Sequence, residues 1–205
     1  MIELANLIKE FGDLTAVDDI SLTVSKGEFF VVLGPNAAGK TTTIKMLVGL
    51  IAPSSGTVKV CGYDVQVDPI EVRKRLAYVP DFPFLYDKLT PWEFLRFTGQ
   101  LFHMTEEEIQ ERTRALIPRF SLEPYLRKSI ESLSHGTRQR IAIVSALMHN
   151  PDVFVLDGVT GAGKTEVYFE AVDAAMRADK QVLIVMPEIA LSNAFIDRFA
   201  KRFGC

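Results

Sequence analysis

The stretch that most constrains this chain is Phe29–Thr43, FFVVLGPNAAGKTTT. An apolar run (Phe29, Phe30, Val31, Val32, Leu33) breaks at Gly34, and a helix-compatible segment starts at Lys40. Gly34, Gly39, Lys40 and Thr41 satisfy G-x-x-x-x-G-K-[ST] in the strand–loop–helix setting that this phosphate-binding loop requires. The chemistry accounts for the spacing. Backbone N–H groups from Pro35, Asn36, Ala37 and Ala38 onward curl round a triphosphate, proline excepted as a donor, and the helix start adds partial positive charge. Lys40 then reaches the β- and γ-phosphates, the Thr41 hydroxyl ligates Mg²⁺, and Thr42 extends the cradle. The competing reading, a plain glycine turn between strand and helix, explains neither the Lys-Thr pair nor its spacing. A nucleotide site is predicted here.

Composition narrows the class. With 205 residues, 48% hydrophobic and 24% charged, the chain can bury one substantial core. Glu3 interrupts the N-terminus and no run of eighteen apolar residues occurs, so a soluble, cytoplasmic protein is expected. Cys61 and Cys205 are too few for a disulfide framework and are expected as reduced thiols. A net charge of −3 offers no electrostatic footprint for nucleic acid, which makes such a partner unlikely on this reading.

Around the loop, Met1–Val24 reads as short strands joined tightly at Phe11, Gly12 and Asp13. Phe11 is either a core residue or a flat surface for a base, and spacing alone does not decide between them. Thr57–Cys61 alternates as a strand, Asp68-Pro69 opens a short helix to about Arg75, and Ala77–Val79 is a strand stopped by Pro80. From Thr90 to His149 the pattern is helical. Thr90-Pro91 caps one helix, Thr105 with Glu108 forms a capping box for the next, and Ser134 is a good N-cap for a third over Arg138–His149. Val153–Asp157 reads as a buried strand ending in a carboxylate, which a Mg²⁺ site beside a phosphate loop needs.

Residues 1 to about 157 resemble the ATP-binding cassette of ABC transporters, of the bacterial ABC-2 export type. The motifs GPNAAGKTT at 34–42, YVPD at 78–81, LSHGTRQR at 133–140 and VFVLD at 153–157 stand in the order of that family. The resemblance implies Mg-ATP as ligand, Phe11 at the adenine-stacking position, and Thr41, Asp81 and Asp157 around the metal. It also implies that Ser134 and Gly136 contact the γ-phosphate held by an opposite subunit in a head-to-tail dimer, with a transmembrane transporter subunit as partner. Such a chain would lie peripherally at the inner face of the membrane. Ala37 stands where the family usually has glycine, which threatens affinity if the position needs positive φ. Asp81 replaces a longer Gln or Glu, and His135 and Thr137 vary the signature, His135 reading as a solvated loop histidine.

At residue 157 the pattern changes. The family continues with Glu-Pro and a Gly-Leu-Asp loop, and that Glu polarises the attacking water. This chain instead reads GVTGAGKT at 158–165, a second complete phosphate-loop pattern with Gly158, Gly161, Gly163, Lys164 and Thr165. DGVTGAGKTEVY, then KQVLIVMPEIAL and FIDRFAKRFG, resembles motif I and its sequel in the primosomal replication-restart DNA helicases, over about 156–204. The sequence therefore looks like a chimera of two P-loop NTPases, with Lys164–Ala178 helical, Gln181–Met186 a strand and Leu191–Phe203 helical. Pro187 or Glu188 falls near the place of the family's switch histidine.

The reading is thus an α/β P-loop NTPase with a mostly parallel sheet flanked by helices, an N-terminal antiparallel part and an inserted helical subdomain over about 90–149. Residues 1–157 form the nucleotide-binding domain, and 158–205 complete it. ATP binds at 34–42; no catalytic residue is intact, Gly158 standing at the usual Glu position, so hydrolysis is slow or absent. The alternatives are a fragment of a DNA helicase-type ATPase using 158–165, and a chimera that only folds and binds nucleotide. The strand carrying Asp157 is expected beside the strand carrying the first loop, so that two triphosphates would collide. Lys164 is then a basic group at a helix start, not the anchor of a second nucleotide.

Overall fold

The computed structural model describes residues 1–35, 37–157, 164–177, 180–187 and 193–203. Strands β1 (Ile2–Phe11) and β2 (Leu14–Val24) form one long antiparallel hairpin in place of the short strands expected from sequence. Its length comes from a bulge that lets the apolar pattern change phase. Ile2 and Leu4 are buried, then Leu7, and the register shifts between Leu4 and Leu7 where Asn6 takes φ 45°. Asn6 Nδ2 donates to Asp19 Oδ1 at 3.0 Å, and Gly56 passes so close that a Cβ there would sit 2.2 Å from the Asn6 carbonyl oxygen. A glycine is required at that crossing.

Strands β3 (Phe29–Gly34), β4 (Ser55–Val60) and β5 (Tyr63–Asp64) follow, with helix α1 (Lys40–Leu47) after β3. The antiparallel sheet has the order β2-β1-β4-β5. Helix α2 (Pro69–Arg75) leads into β6 (Leu76–Val79). Helices α3 (Pro91–Leu101) and α4 (Glu106–Arg119) both open on capping boxes; Thr105 with Glu108 is the one expected from sequence, and Thr90, expected as a cap followed by Pro91, also pairs with Glu93. They cross tightly at Gly99, where a Cβ would meet Ile109 Cγ1 at 2.5 Å.

Helix α5 (His135–Leu147) precedes β7 (Val153–Asp157); α6 (Lys164–Arg177), β8 (Gln181–Pro187) and α7 (Asn193–Phe203) complete the described chain. The second sheet is parallel throughout, in the order β3-β8-β7-β6. This corrects one expectation: β8 lies between the strand of the first phosphate loop and the strand of Asp157. The two strands are therefore two spacings apart, about 10 Å, rather than one.

Because a strand alternates its faces, each face of this sheet builds its own core. Phe154, Leu156, Val182 and Ile184 pack with Leu95, Ile109, Ile141 and Val144 of the helical region and with Tyr168 and Val172 of α6. Val153, Val155, Leu183 and Val185 pack on the other side with Ile44 and Leu47 of α1 and with Leu4, Val17 and Val58 of the antiparallel sheet. Residues beyond 157 thus share both cores with residues before it. Helix α7 closes an aromatic cluster, the Phe199 ring lying 4.6 Å from Phe29 and 5.7 Å from Phe169.

Candidate nucleotide site

The first loop has the geometry its sequence implies. Gly39 is the N-cap of α1 with φ 77°, and a Cβ there would sit 2.4 Å from the Ala16 carbonyl oxygen. Glycine is enforced twice, by conformation and by the approach of β2. That approach also sets Phe11 near the loop's side of the molecule, since Phe11 ends β1 opposite Leu14, two residues before Ala16. Phe11 is 50% exposed, with Lys9 Nζ 5.0 Å over its ring, so it is no core residue. Pro35 and Ala38 close a turn, the Ala38 N–H donating to the Pro35 carbonyl at 3.3 Å, and Asn36 lies outside the described residues.

Ala37 adopts φ 66°, the left-handed region that costs a non-glycine residue about 1–2 kcal/mol. The loop already holds this conformation, so the methyl group weighs on the stability of the loop itself. Lys40 Nζ donates to the carbonyls of Gly34 at 2.6 Å and Pro35 at 2.5 Å, folded across its own loop. These are two weak neutral acceptors for an ammonium, and phosphate oxygens would bind it more strongly. Thr41 is exposed at the start of α1, Thr42 is half-buried behind it, and Thr43 Oγ1 donates back to the Gly39 carbonyl at 3.0 Å.

The parallel sheet delivers the carboxylates. All four strands point the same way, so Gly34, Pro187, Asp157 and the Pro80-Asp81 pair that follows Val79 come to one edge. Tyr78 Oη donates to Asp157 Oδ2 at 3.3 Å, and burial together with that carboxylate pushes the phenol well above its usual range. On the opposite side, Tyr168 of α6 is fully buried and its hydroxyl accepts from Gln139 Nε2 at 2.6 Å. Burial, then the nearby charges of Asp81 and Asp157, raise Tyr168 in the same sense, which keeps both phenols protonated. Neither tyrosine is singled out by sequence reasoning. Tyr78 stands inside the YVPD motif and could have been noticed there, whereas nothing local marks Tyr168.

These residues suit Mg-ATP. Among the described residues no group of three His, Cys, Asp or Glu could hold a metal by itself. Mg²⁺ fits such a site because it takes one or two protein oxygens and completes its shell with water and substrate phosphates. Thr41, Asp157 and Asp81 could furnish those oxygens, and the nucleotide would supply the rest.

Ser134 and Gly136 lie elsewhere on the chain. Ser134 is the N-cap of α5, its Oγ accepting from the Thr137 N–H at 3.3 Å. His135, expected in a loop, is the first residue of that helix and is exposed, its ring 6.3 Å from Phe82. A Cβ on Gly136 would meet nothing within 4 Å, so no contact within the chain demands glycine there. Of the second phosphate loop, Gly158, Gly161 and Gly163 lie outside the described residues, as does Glu188; Lys164 and Thr165 open α6.

A parallel sheet ending in a glycine-rich loop, a Lys-Thr helix start and an acidic strand end at the same sheet edge define a P-loop NTPase. The comparison with known sequences then gives the family. The family described as ABC transporter matches residues 17–161, and the chain belongs to it. The chain is 35% identical over 208 residues to the ABC transporter ATP-binding protein NatA of Bacillus subtilis, covering 96% of this chain and 85% of NatA. It spans between 58% and 64% of the length of other curated relatives it matches. Among solved structures, an ATP-binding subunit of an ABC transporter superposes with a TM-score of 0.84 at 27% identity, over 95% of this chain and 82% of that one. The ATP-binding cassette MJ0796, solved as a dimer in a post-hydrolysis state bound to ADP and Pi, superposes with a TM-score of 0.79 at 25% identity, over 91% and 88%. The DEAD/DEAH box helicase family matches residues 137–205, about a third of the chain and overlapping the first match. As a member of the ABC family, the chain is of a kind that binds ATP with Mg²⁺.

Proposed function

We propose that this chain binds one Mg-ATP at residues 34–42, with Phe11 on the adenine, Lys40 on the phosphates and Thr41, Asp81 and Asp157 around the metal. The observation that supports the reading is the shared sheet edge: Gly34, which opens the Lys40 loop, Asp157, and Val79 with the Pro80-Asp81 pair after it lie at the same ends of parallel strands. Ser134 and Gly136 would complete a second copy's site in a head-to-tail dimer. The unconstrained Gly136 supports this, since a residue without an internal reason to be glycine leaves room for an outside ligand to approach. The division into 1–157 and 158–205, with the helical subdomain at about 90–149, belongs to the same reading.

Hydrolysis would be slow. Gly158 brings no carboxylate to orient water, and Pro187 or Glu188 replaces the histidine that follows this strand in the family. A transmembrane partner would use ATP-driven closure, and the segment after β6 is suited to meet it. Phe82 and Phe84 are 78% and 89% exposed beside Asp81, with Tyr86 and Leu101 also exposed. No described helix is long and apolar enough to cross a membrane, and association with the inner face of the membrane through that partner is part of this reading.

The test is calorimetry with a non-hydrolysable ATP analogue and Mg²⁺. Lys40→Ala should lose most of the binding, a charge-assisted phosphate contact being worth about 1.5–3 kcal/mol. Equal affinity in wild type and variant would refute the assignment. A second reading, a helicase-type ATPase using 158–165 in a chimera of two P-loop proteins, draws on the match over 137–205. DNA-stimulated ATPase activity would favour it.

A further inference from the structure

We infer that Tyr78 is the positioning residue of the Asp157 carboxylate, holding it for the divalent cation of the bound nucleotide; the inference rests on the Mg-ATP reading of residues 34–42. The register builds the contact. Tyr78 pairs with Val155, and Asp157 lies two residues further along β7, on the same face of the sheet as Val155. Two residues of strand rise about 6.6 Å, a span that a phenol ring lying along the sheet can cover. Tyr78 packs partly buried against the core beneath α1, and its hydroxyl arrives 3.3 Å from Asp157 Oδ2.

The chemistry of the pair has one direction. An ionised carboxylate only accepts, and a phenol has a single proton to donate, so Tyr78 spends that proton on Oδ2. Tying one oxygen to a ring that is itself held by packing fixes the rotation of the carboxylate. Mg²⁺ demands near-ideal octahedral placement of few protein ligands, and partners that orient such a ligand are typically worth about 10–100-fold in metal affinity. Tyr168 belongs to the core on the other face of the sheet, where its hydroxyl accepts from Gln139 Nε2.

Removing the hydroxyl alone tests this. Binding of a non-hydrolysable ATP analogue is measured with Mg²⁺ and with chelator, for wild type, Tyr78→Phe, Asp157→Asn and the double variant. In wild type Mg²⁺ should tighten binding. In Tyr78→Phe, chelator-phase affinity should stay within about twofold while the Mg²⁺ enhancement falls about 10-fold or more. In the Asp157→Asn background, Tyr78→Phe should change nothing further. A full Mg²⁺ enhancement in Tyr78→Phe overturns the inference and leaves the nucleotide assignment standing. Equal loss with and without metal also overturns it, since the tyrosine would then be structural. Wild type without Mg²⁺-dependent binding removes the assignment itself, and this inference with it.

Discussion

Asp157 and Val32 lie in one row of the parallel sheet, each level with Val185 on the strand between them. The acidic strand end therefore stands about 10 Å to the side of the phosphate-loop strand and two residues short of Gly34. Lys40 and Asp157 are not built to neutralise each other. Lys40 instead folds onto the carbonyls of Gly34 and Pro35, and Asp157 takes a proton donor from Tyr78.

One nucleotide per chain is expected even with β8 between the two strands, because the first loop has a strand of its own and the carboxylate of Asp157 at the same sheet edge, whereas the second has only Asp157's own strand as its entry. With a non-hydrolysable ATP analogue, the stoichiometry should be one, lost in Lys40→Ala and largely kept in Lys164→Ala. Two per chain, or the reverse pattern of variants, would show that the second loop is a nucleotide site in its own right.

Turnover should be well below the order of 1 s⁻¹ usual for an enzyme of ordinary activity. Lacking a carboxylate at Gly158 forfeits about 10²–10⁴-fold if the general base is lost. Gly158→Glu alone should not restore it, because Pro187 and Glu188 still stand where the family places its histidine. Steady-state phosphate release at an ordinary rate from the wild-type chain would sink this expectation.

The Gln139–Tyr168 hydrogen bond should stabilise the fold across residue 157. Both side chains are buried, and Gln139 Oε1 already lacks a partner among the described residues. Tyr168→Phe strands the Gln139 amide and should cost about 1–3 kcal/mol in urea unfolding. Gln139→Leu with Tyr168→Phe should recover part of that loss, because two apolar groups leave nothing unsatisfied. A Tyr168→Phe protein as stable as wild type would remove this bond from the account.

Stability should fall in mild acid through His149. Its ring stacks on Phe102 with centroids 3.8 Å apart, and burial lowers its pKa from 6.5 to about 4, against an opposing contribution from the Leu76 backbone and with a smaller push from Arg112. The unfolded chain takes up the proton below about pH 6.5 while the folded chain declines it until about pH 4. Stability is therefore complete above about pH 6.5 and declines from there to about pH 4, by an amount of order 3 kcal/mol. Lys74, Glu108, Glu111 and Arg112 line the adjoining cleft, so the comparison must be differential. Urea midpoints at pH 7, 6 and 5 should converge between wild type and His149→Gln as the pH drops; parallel curves would exclude the histidine.

Local chemistry determined much of this protein in advance. The glycine-rich loop and its Lys-Thr helix start, the paired Thr-Glu capping boxes, the Ser134 cap and the all-apolar strand ending at Asp157 each depend on contacts within a few residues, so a linear sequence displays them. The antiparallel hairpin was legible in kind but not in length, because the bulge at Asn6 is stabilised by Asp19 and Gly56, distant in sequence. Strand order was decided only by the tertiary structure. Placing β8 between β3 and β7 depends on which apolar faces bury together, and an apolar strand reads the same wherever it sits in a parallel sheet. The roles of Tyr78 and Tyr168 were hidden for the same reason: one hydroxyl finds a carboxylate 79 residues away and the other an amide 29 residues away. Such pairings are set by the geometry of the folded sheet and its helices, and no spacing along the chain encodes them.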